Sequence, residues 1–100
     1  MDKSKLIIYR QLMWDYNISP SEVDKLVKGE AEFAGHYDIH NLFRKMLESF
    51  PWFVILQIFD IKTAKKLLTD HTINKLRIAD MRNKYKYVKK RLHEIIPVTG

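Results

Sequence analysis

Apolar residues recur at helical spacing along most of the chain, and no period-two hairpin pattern stands beside them. Leu6, Tyr9, Leu12 and Met13 share one face, with Ile7 and Ile8 widening it, which predicts a first helix over residues 4–14. Ser19-Pro20-Ser21-Glu22 reads as a capping box. Ser19 accepts from the Glu22 amide, Glu22 reaches back, and Pro20 occupies the first helical position, where its missing donor does no harm. That second helix runs from Pro20 to Lys28, and Gly29 suits the left-handed position that closes a helix. Residues 30–37 have no clean period and form the chain's main loop. Asp38 then caps a third helix in which Ile39, Leu42, Phe43, Met46, Leu47 and Phe50 follow the i, i+3, i+4 rule without a miss.

Pro51 disfavours helical geometry at Phe50, so the third helix stops there. The segment Trp52–Phe59 is apolar on every side and rich in β-formers, a pattern that fits a buried strand as well as a buried helix. Helix is the expectation, because a lone strand would leave its backbone groups without a partner strand. Asp60 caps a helix carrying Ile61, Ala64, Leu67 and Leu68, and Thr69 or Asp70 caps another carrying Ile73 and Leu76. The last helix, from about Ala79 to Ile95, places Ile78, Met81, Tyr85, Val88, Leu92 and Ile95 at alternating spacings of three and four, and Pro97 ends it. The expected fold is a compact all-α bundle of five to seven mostly short helices, with a long amphipathic C-terminal helix. Residues 1–100 form one domain, with 95–100 as a flexible tail. Its expected core contains Leu42, Phe43, Met46, Leu47, Phe53, Leu56, Leu68, Leu76, Met81, Tyr85, Val88 and Leu92. Trp14 and Trp52 are expected to plug that core, with Asp15 or Asn17 holding the turn after the first helix.

Composition narrows the classes. At 46% hydrophobic and 30% charged residues the chain has enough apolar material to fold and is no disordered tail. The absence of cysteine excludes disulfides, thiolate zinc sites and cysteine nucleophiles. The apolar run at 52–59 falls far short of the roughly 20 residues needed to span a bilayer. No secretory signal is visible at the N-terminus either, so a cytoplasmic protein without a membrane partner is expected.

The net charge of +6 is unevenly distributed: residues 1–50 carry seven Lys/Arg against eight Asp/Glu, and residues 51–100 carry eleven against four. Most of the basic excess lies on the last helix, as Arg82, Lys84, Lys86, Lys89, Lys90 and Arg91, with Lys75 and Arg77 just upstream. Spacings of four, three and four line up Arg82, Lys86, Lys89 and His93 on one flank of the apolar stripe. Lys75, Arg77, Arg82, Lys86, Lys89, Lys90 and His93 are therefore the candidate binding residues. An acidic protein surface would be steered to such a flank. Nucleic acid is the alternative, held through its phosphates with Tyr87 nearby. An ordinary solvated helix face accounts for the same charges with no partner.

Other constellations lead elsewhere. The segments 52–59, 61–68 and 70–77 resemble a helix-turn-helix in outline, but Lys62, Lys65 and Lys66 on the middle one suit phosphates rather than base edges. His36 and His40 flank Asp38, but Asp38 serves as a cap and no third ligand lies nearby, so neither metal nor cofactor is expected. Ser4, Ser19, Ser21 and Ser49 stand in no nucleophile motif, and neither a close carboxylate pair nor a glycine-rich phosphate loop occurs. A non-enzymatic protein is expected.

Trp14-Asp15, the Ile18-Ser19-Pro20 helix start, Leu47-Glu48-Ser49 before Pro51-Trp52, Lys66-Leu67-Leu68-Thr69, and Ile78 with Arg82, Tyr85 and Leu92 together span residues 12–92. In these motifs the chain resembles a group of short uncharacterised bacterial proteins with an N-terminal Trp-Asp motif. Members of that group are often encoded beside nucleotidyltransferase-type toxins of abortive-infection systems. The resemblance implies an antitoxin-like or accessory role with such a toxin as the acidic partner, and it brings no catalytic residues with it.

Overall fold

The computed structural model describes residues 2–14 and 17–95, and places seven helices in them: α1 (Lys3–Leu12), α2 (Pro20–Val27), α3 (Ile39–Ser49), α4 (Trp52–Ile58), α5 (Ile61–Leu67), α6 (Asp70–Asn74) and α7 (Ala79–Ile95). The fold is all-α. Among the described residues the extended pairing is confined to one bridge, Ala34 with Tyr37, whose backbone groups exchange hydrogen bonds of 2.9 and 3.0 Å. None of the helices in the described residues is long and apolar enough to cross a membrane.

Short helices leave a large share of their amides outside the helical ladder, and here polar side chains take up part of them at the starts of α1, α2, α3, α5 and α6. Ser19 Oγ accepts from the Glu22 amide at 3.2 Å, Asp38 Oδ1 from Asn41 at 2.8 Å, and Asp60 Oδ1 from Thr63 at 2.7 Å. Thr69, rather than Asp70, caps α6, accepting from the Thr72 amide at 3.1 Å. The return bond from Glu22 is not formed, so the cap of α2 is one-sided. At the other end of α2, Gly29 takes φ +78°, and the Glu30 amide reaches the Lys25 carbonyl at 2.8 Å, the wrap that closes a helix through a left-handed residue. Pro51 acts as anticipated: α3 ends at Ser49, Phe50 is extended at φ −133°, and α4 begins at Trp52.

The core joins all seven helices. Tyr9, Val23, Leu42, Phe43, Met46, Leu47, Ile55, Leu68, Ile73, Leu76 and Tyr85 are fully buried, and Phe43 meets Phe59 edge to face at 5.4 Å. Three expectations about burial are corrected. Phe53 is 66% exposed and Leu56 also reaches solvent, because α4 is a surface helix of seven residues whose Ile55 and Ile58, with Phe59, already supply its inner face. Trp14 is 82% exposed, because α1 ends at Leu12 and the inner positions at that end are taken by Leu12 and Met13. Ile78 and Ile95 also face solvent, so the stripe of the last helix is core from Met81 to Leu92 and not at its ends. Met81, Val88 and Trp52 are half-buried against the core. Asn17 is exposed in a bend, and Ile95, the first residue of the expected tail 95–100, still belongs to α7, while the turn role of Asp15, the stop at Pro97 and the rest of that tail lie outside the described residues.

A charged polar group is built into the edge of this core. The Tyr9 hydroxyl donates to Asp24 Oδ1 at 3.3 Å, and Lys28 Nζ lies 2.9 Å from Asp24 Oδ2, joining α1 to α2. Burial pushes the Asp24 carboxyl up, but the hydrogen bond and charge of Lys28, with the Tyr9 hydroxyl, outweigh it and hold the group below its ordinary value. Burial, reinforced by the Asp24 charge and hydrogen bond, drives the Tyr9 hydroxyl far up. Asp24→Ala leaves the buried Tyr9 hydroxyl without its acceptor and is expected to cost about 1–3 kcal/mol, read as a lower urea midpoint at unchanged slope. Because the folded carboxyl is held low, its contribution is complete above the unfolded value near pH ~4 and is lost as the pH falls through the folded value. The variant should therefore lose less stability than the wild type on acidification; an identical acid limb would refute this role for Asp24.

Candidate interaction face on the last helix

Seventeen residues make α7 a rod about 25 Å long. Tyr85 and Leu92 are buried on its inner side, with Met81 and Val88 beside them, and Tyr85 stands edge-on to Trp52 at 5.9 Å. The polar positions are thereby turned outward in a definite order.

The flank Arg82, Lys86, Lys89 and His93 exists as the spacing predicts, but its members divide into two kinds. Arg82 is half-buried, and its guanidinium Nη1 donates to the Leu76 carbonyl in the turn after α6. Lys89 is also half-buried and reaches across to α6, with Nζ 3.0 Å from Asp70 Oδ1. These two side chains brace α7 against α6. Lys86, Lys90 and His93 are exposed, and among the described residues none of them forms an ion pair. Lys75 and Arg77 are exposed on the segment between α6 and α7, and likewise make no ion pair with a described residue. The Arg77 amide donates to Glu48 Oε2 at 3.1 Å, which pins that segment to the end of α3.

Lys84 and Arg91 fall outside that spacing and lie on the other flank of α7. Lys84 Nζ stands 5.1 Å above the Tyr85 ring, and Arg91 pairs with Glu94 at 2.9 Å. Between the flanks Tyr87 is 64% exposed, with Asn83 and Lys84 one turn before it and Lys90 and Arg91 one turn after. Cations therefore wrap the whole outer surface of the helix, and the exposed aromatic lies in their midst.

A cavity of about 260 Å³ opens beside Lys84, where α7 crosses the α3–α4 junction. Leu47, Glu48, Ser49, Phe50, Pro51, Met81, Lys84 and Tyr85 line it. It exists because Pro51 breaks the chain there: Phe50 and Pro51 turn away from the line of α3, and the space between that corner and α7 is left unfilled. No signal in the sequence could have indicated it, since its walls are some thirty residues apart in the chain.

The remaining sequence candidates are placed apart from this face. Asp38 is committed to capping α3, His36 lies against the Tyr37 ring at 4.3 Å, and His40 is exposed on α3. Among the described residues, no group of three or more His, Cys, Asp or Glu side chains is gathered that could hold a metal ion. Of the α5 lysines, Lys62 and Lys66 are exposed and Lys65 is half-buried. The five-residue α6 is little more than one turn, short for a recognition helix.

The division of the flank has a measurable consequence. Arg82→Ala removes the partner of a carbonyl on a buried residue and is expected to destabilise by about 1–3 kcal/mol. Lys89→Ala breaks a largely solvated ion pair and should cost less than about 1 kcal/mol. Lys86→Ala and Lys90→Ala should each stay within about 0.5 kcal/mol of the wild type. Equal losses at all four positions, in urea unfolding, would contradict the assignment of bracing and outward-facing cations.

No family model matches the chain, and no curated protein and no solved structure matches it.

Proposed function

We propose that this chain is a non-enzymatic interaction module, antitoxin-like or accessory, that works in the cytoplasm and takes an acidic protein partner on the outer face of α7. The observation that carries this reading is the state of Lys86 and Lys90, exposed and without an ion pair to any described residue, on a helix whose inner side is anchored. Lys75, Arg77 and His93 extend the same positive surface, while Arg82 and Lys89 hold it rigid rather than contact the partner. A face ordered in advance loses little conformational freedom on docking, and its charge raises the rate of encounter with an acidic surface. The resemblance carried by the Trp14-Asp15, Pro51-Trp52 and Arg82/Tyr85/Leu92 motifs makes a nucleotidyltransferase-type toxin the first partner to try.

A second reading, nucleic-acid binding, is favoured by Tyr87, an exposed ring among cations that suits stacking on an unpaired base beside its phosphates.

The test is a partner association measured with the wild type and with the double variant Lys86→Glu, Lys90→Glu. For an acidic protein partner the association rate should fall about tenfold or more in the variant at low salt, and the gap should narrow at high salt. Labelled duplex DNA and single-stranded RNA form the second arm. Nucleic-acid binding that weakens steeply with salt and vanishes in the variant, with no protein retained from the native host at moderate salt, would overturn the first reading in favour of the second.

A further inference from the structure

We infer that the outer side of α1 is a contact surface for an anionic lipid bilayer, with Ile7 and Trp14 entering the headgroup layer and Lys3 and Arg10 held at the acidic lipid headgroups. This goes beyond the reading of α7 and uses other residues on another helix. The surface is fixed by docking: Ile8, Tyr9, Leu12 and Met13 are buried, and α1 packs against α2 and α3, so its opposite side is held toward solvent. That side carries Lys3, Ile7, Arg10 and Trp14 at spacings of four, three and four, with Gln11 beside them, and all five are exposed. Ile7 is 52% exposed, and Trp14, two residues past the end of the helix, is the most exposed of the large apolar side chains. Lys3 and Arg10 form no ion pair with a described residue, and the stripe itself contains no acid.

Charge and shape together select the occupant. Two cations without local acids call for an anionic surface, and the net charge of +6 adds to the attraction. From Lys3 to Trp14 the stripe is about 17 Å long and one side chain wide, far short of the ~800 Å² per partner of a standard protein interface. A second copy would also gather four cations and no acid into that narrow contact. A nucleic-acid backbone would satisfy Lys3 and Arg10 but leave Ile7 in water. Lipids, by contrast, rearrange around a narrow ridge. The headgroup layer offers the Trp14 ring an apolar surrounding and its N–H an acceptor, which is why tryptophan concentrates at membrane surfaces. Apolar burial and attraction to acidic lipids are the two terms that hold a helix on such a surface, and this stripe alternates the residues that supply them. No helix among the described residues can cross a bilayer, but contact with its surface requires none.

The probes are vesicles of phosphatidylcholine with about 30% phosphatidylserine, and vesicles of phosphatidylcholine alone, sedimented with the full chain. The wild type should sediment with the anionic vesicles, its tryptophan emission moving to shorter wavelength, and should bind the neutral ones about tenfold or more weakly. Ile7→Ser with Trp14→Ser leaves the charge unchanged and should weaken binding to the anionic vesicles about tenfold, as the lost apolar burial predicts. Lys3→Gln with Arg10→Gln should weaken it by a similar factor, and Lys86→Gln with Lys90→Gln, on α7, by less than either. Binding that the Ile7/Trp14 pair leaves unchanged, or that the α7 pair weakens as much, would overturn the inference, and so would a wild type that binds neither vesicle. Each of these failures leaves the test of α7 with its protein partner unaffected. Should the serine pair fail to fold, brominated phosphatidylcholine in the anionic vesicles decides the question on the wild type: its tryptophan emission should be quenched, and an unquenched spectrum would refute the contact.

Discussion

Tyr85 stands where α7 passes the start of α4, with its ring edge-on to Trp52 and almost nothing of it exposed. Its burial, with that of Leu92 two turns on, dictates which side of the last helix faces water. A rod docked along one stripe cannot turn about its axis without exposing that stripe, so every cation on α7 inherits a fixed direction. The hydroxyl of Tyr85 is pushed above its ordinary value by burial, consistent with a side chain that serves packing. The candidate interaction face is therefore a by-product of hydrophobic docking. Its outer surface is what remains once the inner one is satisfied.

Two polar contacts make that docking specific. Arg82 reaches the Leu76 carbonyl and Lys89 reaches Asp70, so α7 is held to the turn after α6 by a hydrogen bond and to α6 itself by an ion pair further along. With Asp70 engaged there and Glu94 taken by Arg91, the acids of the C-terminal half neutralise little of its eleven basic residues. The surplus is displayed. The corner at Phe50 and Pro51 leaves a cavity of mixed polar and apolar lining on the Lys84 side of α7. The positive surface and the recess arise from different causes: one from composition, the other from a proline that ends α3.

The small elements between α3 and α7 survive by capping. Helices of five and seven residues are too short to be stable alone; α5 and α6 borrow stability from a side chain at their start and from the common core, and α4, whose cap is Pro51, from the core alone. Asp60 and Thr69 are decisive there, since α5 and α6 place only Ala64, Leu67, Thr72 and Ile73 in the buried set. The Tyr9–Asp24–Lys28 group does the corresponding work at the other end of the molecule, fastening α1 to α2 with a buried carboxylate that is paired on both oxygens.

The local grammar of the chain was readable without coordinates. Capping residues at Ser19, Asp38 and Asp60, a cap at Thr69 or Asp70, the left-handed Gly29 and the break at Pro51 act over three or four residues, and their physics is complete within that distance. The periodic stripes of α3 and α7 belong to the same class, and so did the all-α architecture with its long last helix. What the sequence could not decide was which side of an apolar helix the neighbours cover. Phe53 and Leu56 are as apolar as Ile55 and Ile58, and Trp14 is more massive than Met13, yet those three are exposed because other residues reached the core first. The same holds for the flank of α7: spacing aligned Arg82, Lys86, Lys89 and His93, and the position of α6 determined that two of them brace the fold while the other two face solvent. Local signals are set by backbone chemistry within one turn, whereas burial, pairing and cavities depend on elements far apart in the chain, and those are brought together by tertiary packing.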